Sequence, residues 1–143
     1  MVFYVLTATS LRYKIIRHKA IMYNDGRQDM VLHLNEEGVF LIPLSSFMAQ
    51  GRQILKQEEH QCESLQQITD YYVRHAEDKF DYLNNNCEQF VNRFLKEIGE
   101  NVLFTSPQRD AIIVAVLGAA GILGYYTSKK LGWNLANLIK KTK

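Results

Sequence analysis

The spacing of apolar residues along this 143-residue chain changes from a strand-like to a helix-like rhythm near its middle. Residues 2–6 are a short apolar run closed by polar residues 7–10, which predicts a first strand. Residues 12–23 are rich in β-branched and aromatic side chains and predict a longer one. Asn24-Asp25-Gly26-Arg27 is a hairpin signal, because Asp-Gly accepts the positive φ angles of a type I′ turn. Residues 29–34 are then the returning strand, 35–38 a second turn and 39–42 a further strand, and Pro43 closes the strand region. After it, residues 45–56 predict a first helix, although their periodicity is weak. Ser64-Leu65-Gln66-Gln67 has capping-box spacing, and Leu65, Ile68 and Tyr72 recur every three or four residues, so 64–75 predict a second helix. Residues 79–83 fit a short strand. Phe90, Val91, Phe94, Leu95 and Ile98 then share one face of a helix that opens at Cys87 and stops at Gly99.

Residues 111–126 carry no charge, and with Thr127 and Ser128 the uncharged stretch is 18 residues long. As a helix it spans roughly 27 Å, enough for a thin bilayer. Tyr125, Tyr126 and Trp133 supply interfacial aromatics, and Lys129 and Lys130 flank the run. Leu131, Leu135, Leu138 and Ile139 stripe a basic segment suited to lying in the headgroup layer. Three regions are therefore expected: a globular domain over 1–104, a C-terminal transmembrane anchor helix over 105–128 and a basic amphipathic tail over 129–143. Ala111, Ala115 and Ala119, with Ala120 and Gly124, would let such helices approach closely, so self-association through this helix is also expected.

Charge sharpens that division. Five of the 17 basic residues follow Asp110 and no acidic residue does, whereas the other 12 share residues 1–110 with 15 acidic ones. A basic tail beside an apolar run points to anionic lipid rather than to nucleic acid. The chain's start has neither the basic region nor the long apolar run of a signal peptide. Two cysteines, one of them wanted as a thiolate, fit a reducing compartment. The expected location is an intracellular membrane, with the domain on the cytoplasmic side.

The candidate chemistry lies in three residues. Cys87 opens a helix, where free N–H groups and the helix dipole favour a thiolate. With Asp25-Gly26 as the central turn residues, Asn24 pairs with Arg27 and His18 falls directly opposite His33, close enough to hydrogen-bond. Ala20 and Val31 would neighbour them and leave room for a ligand, while Ile21, Tyr23, Met30 and Leu32 would pack on the other face. A cysteine, a base and a group that orients the base are the parts of acyl transfer. Cys62 and His60 offer two ligands where a closed zinc site needs four, so no metal and no cofactor is expected.

Arg17-His18 with Ala20-Ile21, then Val31-Leu32-His33-Leu34, then Asn86-Cys87-Glu88-Gln89-Phe90-Val91, resemble lecithin:retinol acyltransferase-type proteins, most of all the HRAS-like phospholipase A/acyltransferase group. The apolar run that follows Arg109-Asp110 also looks like that group's membrane anchor. Some picornaviral 2A proteins share the histidine and Asn-Cys arrangement. The resemblance implies an α+β, circularly permuted papain-like domain of the NlpC type, an antiparallel sheet packed by helices with the Cys87 helix against the strand that bears His18. It also implies roles: Cys87 as nucleophile, His18 as base and His33 as the group orienting His18. The implied activity is a thiol phospholipase A1/2 and acyltransferase that cleaves glycerophospholipid esters through an acyl-thioester on Cys87. Lys19 stands where those enzymes carry an aromatic residue and Gln89 where they carry histidine. No Gly-Asp element of the kind those enzymes carry precedes Arg12, and its lack, with Lys19, motivates the alternative, a catalytically weak or inert, membrane-tethered interaction or remodelling protein of 2A-like kind. A cysteine peptidase with the same triad is a third reading.

Overall fold

The computed structural model describes residues 1–12 and 16–100. Strands β1 (Val2–Thr9), β2 (Arg17–Asn24), β3 (Asp29–Asn35), β4 (Gly38–Pro43) and β5 (Ile54–Gln61) form one antiparallel sheet in the order β4-β3-β2-β1-β5. Helices α1 (Leu44–Ala49), α2 (Leu65–His75) and α3 (Cys87–Glu97) complete an α+β fold. The predicted anchor over 105–128 and tail over 129–143 lie outside the described residues, as do 13–15 of the predicted second strand. Among the described residues no helix is long and apolar enough to cross a membrane.

Strand alternation buries both faces of the sheet. Phe3, Val5, Ile21, Tyr23, Leu32 and Leu34 project to one side and meet Ile68 and Tyr71 of α2 and Phe90, Val91, Phe94 and Leu95 of α3. Leu6, Ala8, Ala20, Met22 and Val31 project to the other and meet Phe47, the one buried side chain of α1. The first cluster is aromatic: Phe94 sits edge-on to Phe3 at 5.5 Å and packs on Tyr71 at 5.1 Å. The Tyr71 hydroxyl donates to the Phe90 carbonyl at 2.5 Å, joining α2 to α3. Burial pushes the Tyr71 phenol up to about 12, so this donor stays protonated.

The helix ends follow local chemistry. Asn86 caps α3, its side chain accepting from Gln89 N–H at 2.9 Å while the Gln89 side chain accepts from Asn86 N–H at 2.9 Å. Gly99, at φ +91°, closes the helix with Gly99 N–H bonded to Lys96 O and Glu100 N–H to Leu95 O, a Schellman end that needs a left-handed residue. At α2 the expected box does not form. Ser64 makes no side-chain cap, and Gln67 reaches instead to Glu63 N–H at 2.7 Å.

Four expectations are corrected. The helix predicted over 45–56 is only α1; Gly51 turns the chain at φ +92°, and residues from Ile54 onward pair with β1 as β5. Pro43 therefore does not end the strand region. The Lys, Gln and Glu of β5 suit an edge strand that must not recruit another chain. Residues 79–83 contain only a single bridge, Asp81 to Asn85. The hairpin turn is longer than a two-residue I′ turn. Asp25 Oδ1 accepts from the N–H groups of Arg27 and Gln28, and Asn24 Oδ1 from Gly26, so the strands close at Asn24↔Asp29.

Replacing Phe94 with Ala should cost about 3–5 kcal/mol of stability, read from the urea midpoint with the slope unchanged. A loss under about 1 kcal/mol would contradict its place in the shared core.

Candidate active site

The longer turn shifts the β2–β3 register by two residues, pairing Ile21 with Leu32 rather than with Met30. A shift of two preserves the faces, because side chains alternate with a period of two. His18 and His33 thus share the α1 side of the sheet as expected, but as diagonal neighbours rather than a directly opposed pair. They still meet. His18 Nε2 lies 2.8 Å from His33 Nδ1, and the rings stand nearly perpendicular at 89°. The space expected beside Ala20 and Val31 is filled by Phe47. That ring stacks on His18 at 5.9 Å and meets His33 edge-on at 5.2 Å, so α1 holds both imidazoles in place.

Both histidines are buried, His33 completely. Burial holds the His18 pKa well below its ordinary value, with His33 and Arg52 adding to the effect. Burial, and then Arg52, bring His33 from 6.5 to about 4. The pair is neutral at pH 7. One hydrogen bond between neutral imidazoles needs a donor and an acceptor, which leaves two proton arrangements. If His18 Nε2–H donates to His33 Nδ1, His18 Nδ1 is a bare base and His33 carries its proton on Nε2. The reverse places a proton on His18 Nδ1. His33 Nε2 has no hydrogen-bond partner in either case; the aromatic rings of Phe40 and Phe47 pack against this imidazole.

Cys87 reaches the backbone of the His18 strand from the other side of the sheet. Helix α3 packs its apolar face on Ile21, Tyr23 and Leu32, opposite the histidines. The β2–β3 pairs begin only at Ile21↔Leu32, and Arg17 and Lys19 lie beyond them. There the Lys19 N–H donates to Cys87 Sγ at 3.5 Å, and the thiol donates to Arg17 O at 3.8 Å. The sulfur therefore rests on the backbone of the two residues flanking His18. The Asn86 cap, with its Nδ2 donating to Tyr82 O at 3.0 Å, fixes where α3 begins and hence where the thiol sits. Cys62, by contrast, donates to Ser64 O at 3.4 Å, and burial raises its thiol pKa.

Cys87 and His18 line one cavity of about 390 Å³, together with Arg17, Glu36, Arg52 and Tyr82. Glu36 accepts from the Tyr82 hydroxyl and pairs with Arg12, and these two contacts hold its carboxyl below the usual range. The structure thus brings all three sequence-predicted residues together. Sequence reasoning missed two supporting groups. The Asn86–Gln89 box was visible as N-x-x-Q spacing. Phe47 and Arg52 carry no local signal, because their burial depends on where α1 and the turn to β5 fold back. No group of three or more His, Cys, Asp or Glu able to hold a metal exists among the described residues.

The His33 pKa makes stability depend on pH. Above 6.5 both the folded and unfolded imidazole are neutral, and as pH falls from 6.5 to about 4 only the unfolded one gains a proton. The drop amounts to roughly 3 kcal/mol of stability lost across that window. Denaturant unfolding of the wild type should fall more steeply from pH 6.5 to pH 4 than that of His33→Gln, and parallel curves would contradict a buried neutral His33.

Compared with known proteins, the chain matches no protein-family model and no curated protein.

Proposed function

We propose that the protein is a thiol-dependent phospholipase A and acyltransferase in which Cys87 is the nucleophile, His18 the base and His33 the group that orients His18. One observation carries the reading. The Cys87 thiol rests on the backbone either side of a histidine whose Nε2 is already held by a second, buried histidine. With Nε2 engaged, Nδ1 is the His18 nitrogen left to take the thiol proton. His18 is neutral at pH 7, the state a general base needs. Histidine before cysteine in the chain, with the Cys87 helix against the His18 strand, also fits a permuted papain-like domain.

The chemistry follows from these positions. Nδ1 of His18 takes the proton from Sγ of Cys87, and the sulfur attacks the ester carbonyl of a glycerophospholipid. Lys19 N–H remains as a donor to the sulfur, and the imidazolium keeps its Nε2–H bond to His33. The N–H of Cys87, at the positive end of α3, is the proposed donor to the oxyanion. A donor of this kind is worth about 2.7–4 kcal/mol in the transition state. Collapse expels the lysolipid oxygen, which takes the proton back from His18, and leaves an acyl-thioester. Water then gives a fatty acid; an amine or lysolipid gives acyl transfer. The apolar segment at 111–126 would keep the domain at its substrate's surface.

Cys87→Ala should abolish both lysolipid release and an acyl adduct when the protein is mixed with phosphatidylcholine vesicles and read by mass spectrometry. Lysolipid at an undiminished rate from that variant would overturn the assignment. His18→Ala should slow turnover more than His33→Ala, because one removes the base and the other only its orientation; the opposite ranking would reverse the two roles.

A further inference from the structure

Arg52 is a buried cation that no carboxylate partners among the described residues. It is 7% exposed. Its Nε donates to Gln50 Oε1 at 2.9 Å and its Nη1 to the Thr9 carbonyl at 3.2 Å, and its guanidinium lies over the Phe47 ring at 5.1 Å. All three partners are uncharged, and among the described residues no carboxylate pairs with it. A guanidinium has five N–H donors, and this one uses two of them on those partners. Removing a charge from water costs several kcal/mol unless a counter-charge meets it. Burial pulls the Arg52 pKa below its ordinary value, and the charge that Cys87 carries as a thiolate works against that shift.

The position is as informative as the missing carboxylate. Arg52 lines the cavity that also holds Cys87 and His18. Phe47 carries the guanidinium on the same ring that stacks on His18, so the cation and the base are fixed relative to each other. The other two arginines of the cavity differ. Arg12 pairs with Glu36, and Arg17 is exposed on β2. A held, desolvated guanidinium that faces a cavity and has no carboxylate beside it is suited to receive an oxyanion, which it can bind through paired N–H bonds.

We propose that Arg52 is the anion-recognising residue of this cavity and takes the phosphodiester of the glycerophospholipid whose ester meets Cys87. This rests on the lipid-cleaving reading above and deepens it by naming the residue that selects a phospholipid over a neutral glyceride. Arg52 is here a specificity residue rather than a catalytic one: it holds the phosphate while the ester carbonyl lies at the sulfur.

Protection of Cys87 from iodoacetamide tests the site without needing turnover. The rate of Cys87 alkylation is followed by mass spectrometry with and without dihexanoyl-phosphatidylcholine below its micellar concentration, glycerophosphocholine, inorganic phosphate or dihexanoylglycerol. Ratios are taken within each variant, so a changed intrinsic reactivity cancels. In the wild type, both phosphodiesters should protect and dihexanoylglycerol should not. In Arg52→Gln the protecting concentration should rise about tenfold or more, the worth of one charge-assisted contact. Arg52→Lys, which keeps the charge but not the fork, should fall between, and it serves as the reference if Arg52→Gln does not fold. Equal protection in wild type and both variants would overturn the proposal. So would protection by inorganic phosphate alone, which would make the cavity a free-phosphate site, or no protection by any probe. Arg52-dependent protection by phosphodiesters without lysolipid release would leave this site standing while the proposed turnover fell.

Discussion

The placement of the Cys87 thiol depends on how α3 docks across β2. Its apolar face, Phe90, Val91, Phe94 and Leu95, is pinned against Ile21, Tyr23 and Leu32, and Tyr71 clamps it from α2. Burial of these side chains is worth about 1.5–3 kcal/mol each, which far exceeds any single contact at the thiol. Core packing therefore decides where the helix starts, and the Asn86–Gln89 box fixes that start to the residue. The sulfur of Cys87 is carried to the one stretch of β2 where the β3 ladder has ended and an N–H is available to it. Had the ladder run two residues further, Lys19 N–H would point at a strand, not at a thiol.

The electrostatics of the cavity follow from the same packing. The sheet is covered on both faces, so the two histidines are buried beside Phe47 and stay neutral. A fixed cation, Arg52, lies beside them and disfavours a second positive charge. The result is a pair of imidazoles kept unprotonated, with a sulfur that accepts a hydrogen bond from the backbone beside His18. These properties favour proton abstraction at neutral pH over a resting imidazolium. The cation that suppresses protonation of the histidines is also the group suited to attract an anion.

Much of this was legible in the sequence, and the failures share a cause. Faces were readable because alternation is local: Ile21, Tyr23, Met30 and Leu32 separate from His18 and His33 under either register. The register itself was not, because Asp25 and Asn24 side chains bond the turn backbone and lengthen the loop, which Asp-Gly alone does not disclose. Strand β5 was hidden because Lys, Gln and Glu favour helices in isolation; its conformation is imposed by pairing with β1, a long-range contact. The Cys87 helix was legible from both ends, since Asn86 and Gly99 are strong punctuation. Arg52 was not, because a buried cation is a property of the folded cavity and leaves no periodic trace.

The most direct measurement is the alkylation rate of each cysteine by iodoacetamide at neutral pH, in the wild type and in His18→Ala. The account predicts that Cys87 reacts faster than Cys62 in the wild type and that removing His18 erases most of that lead. Equal rates in the wild type, or a Cys87 lead untouched by the loss of His18, would contradict a thiol activated by this histidine pair.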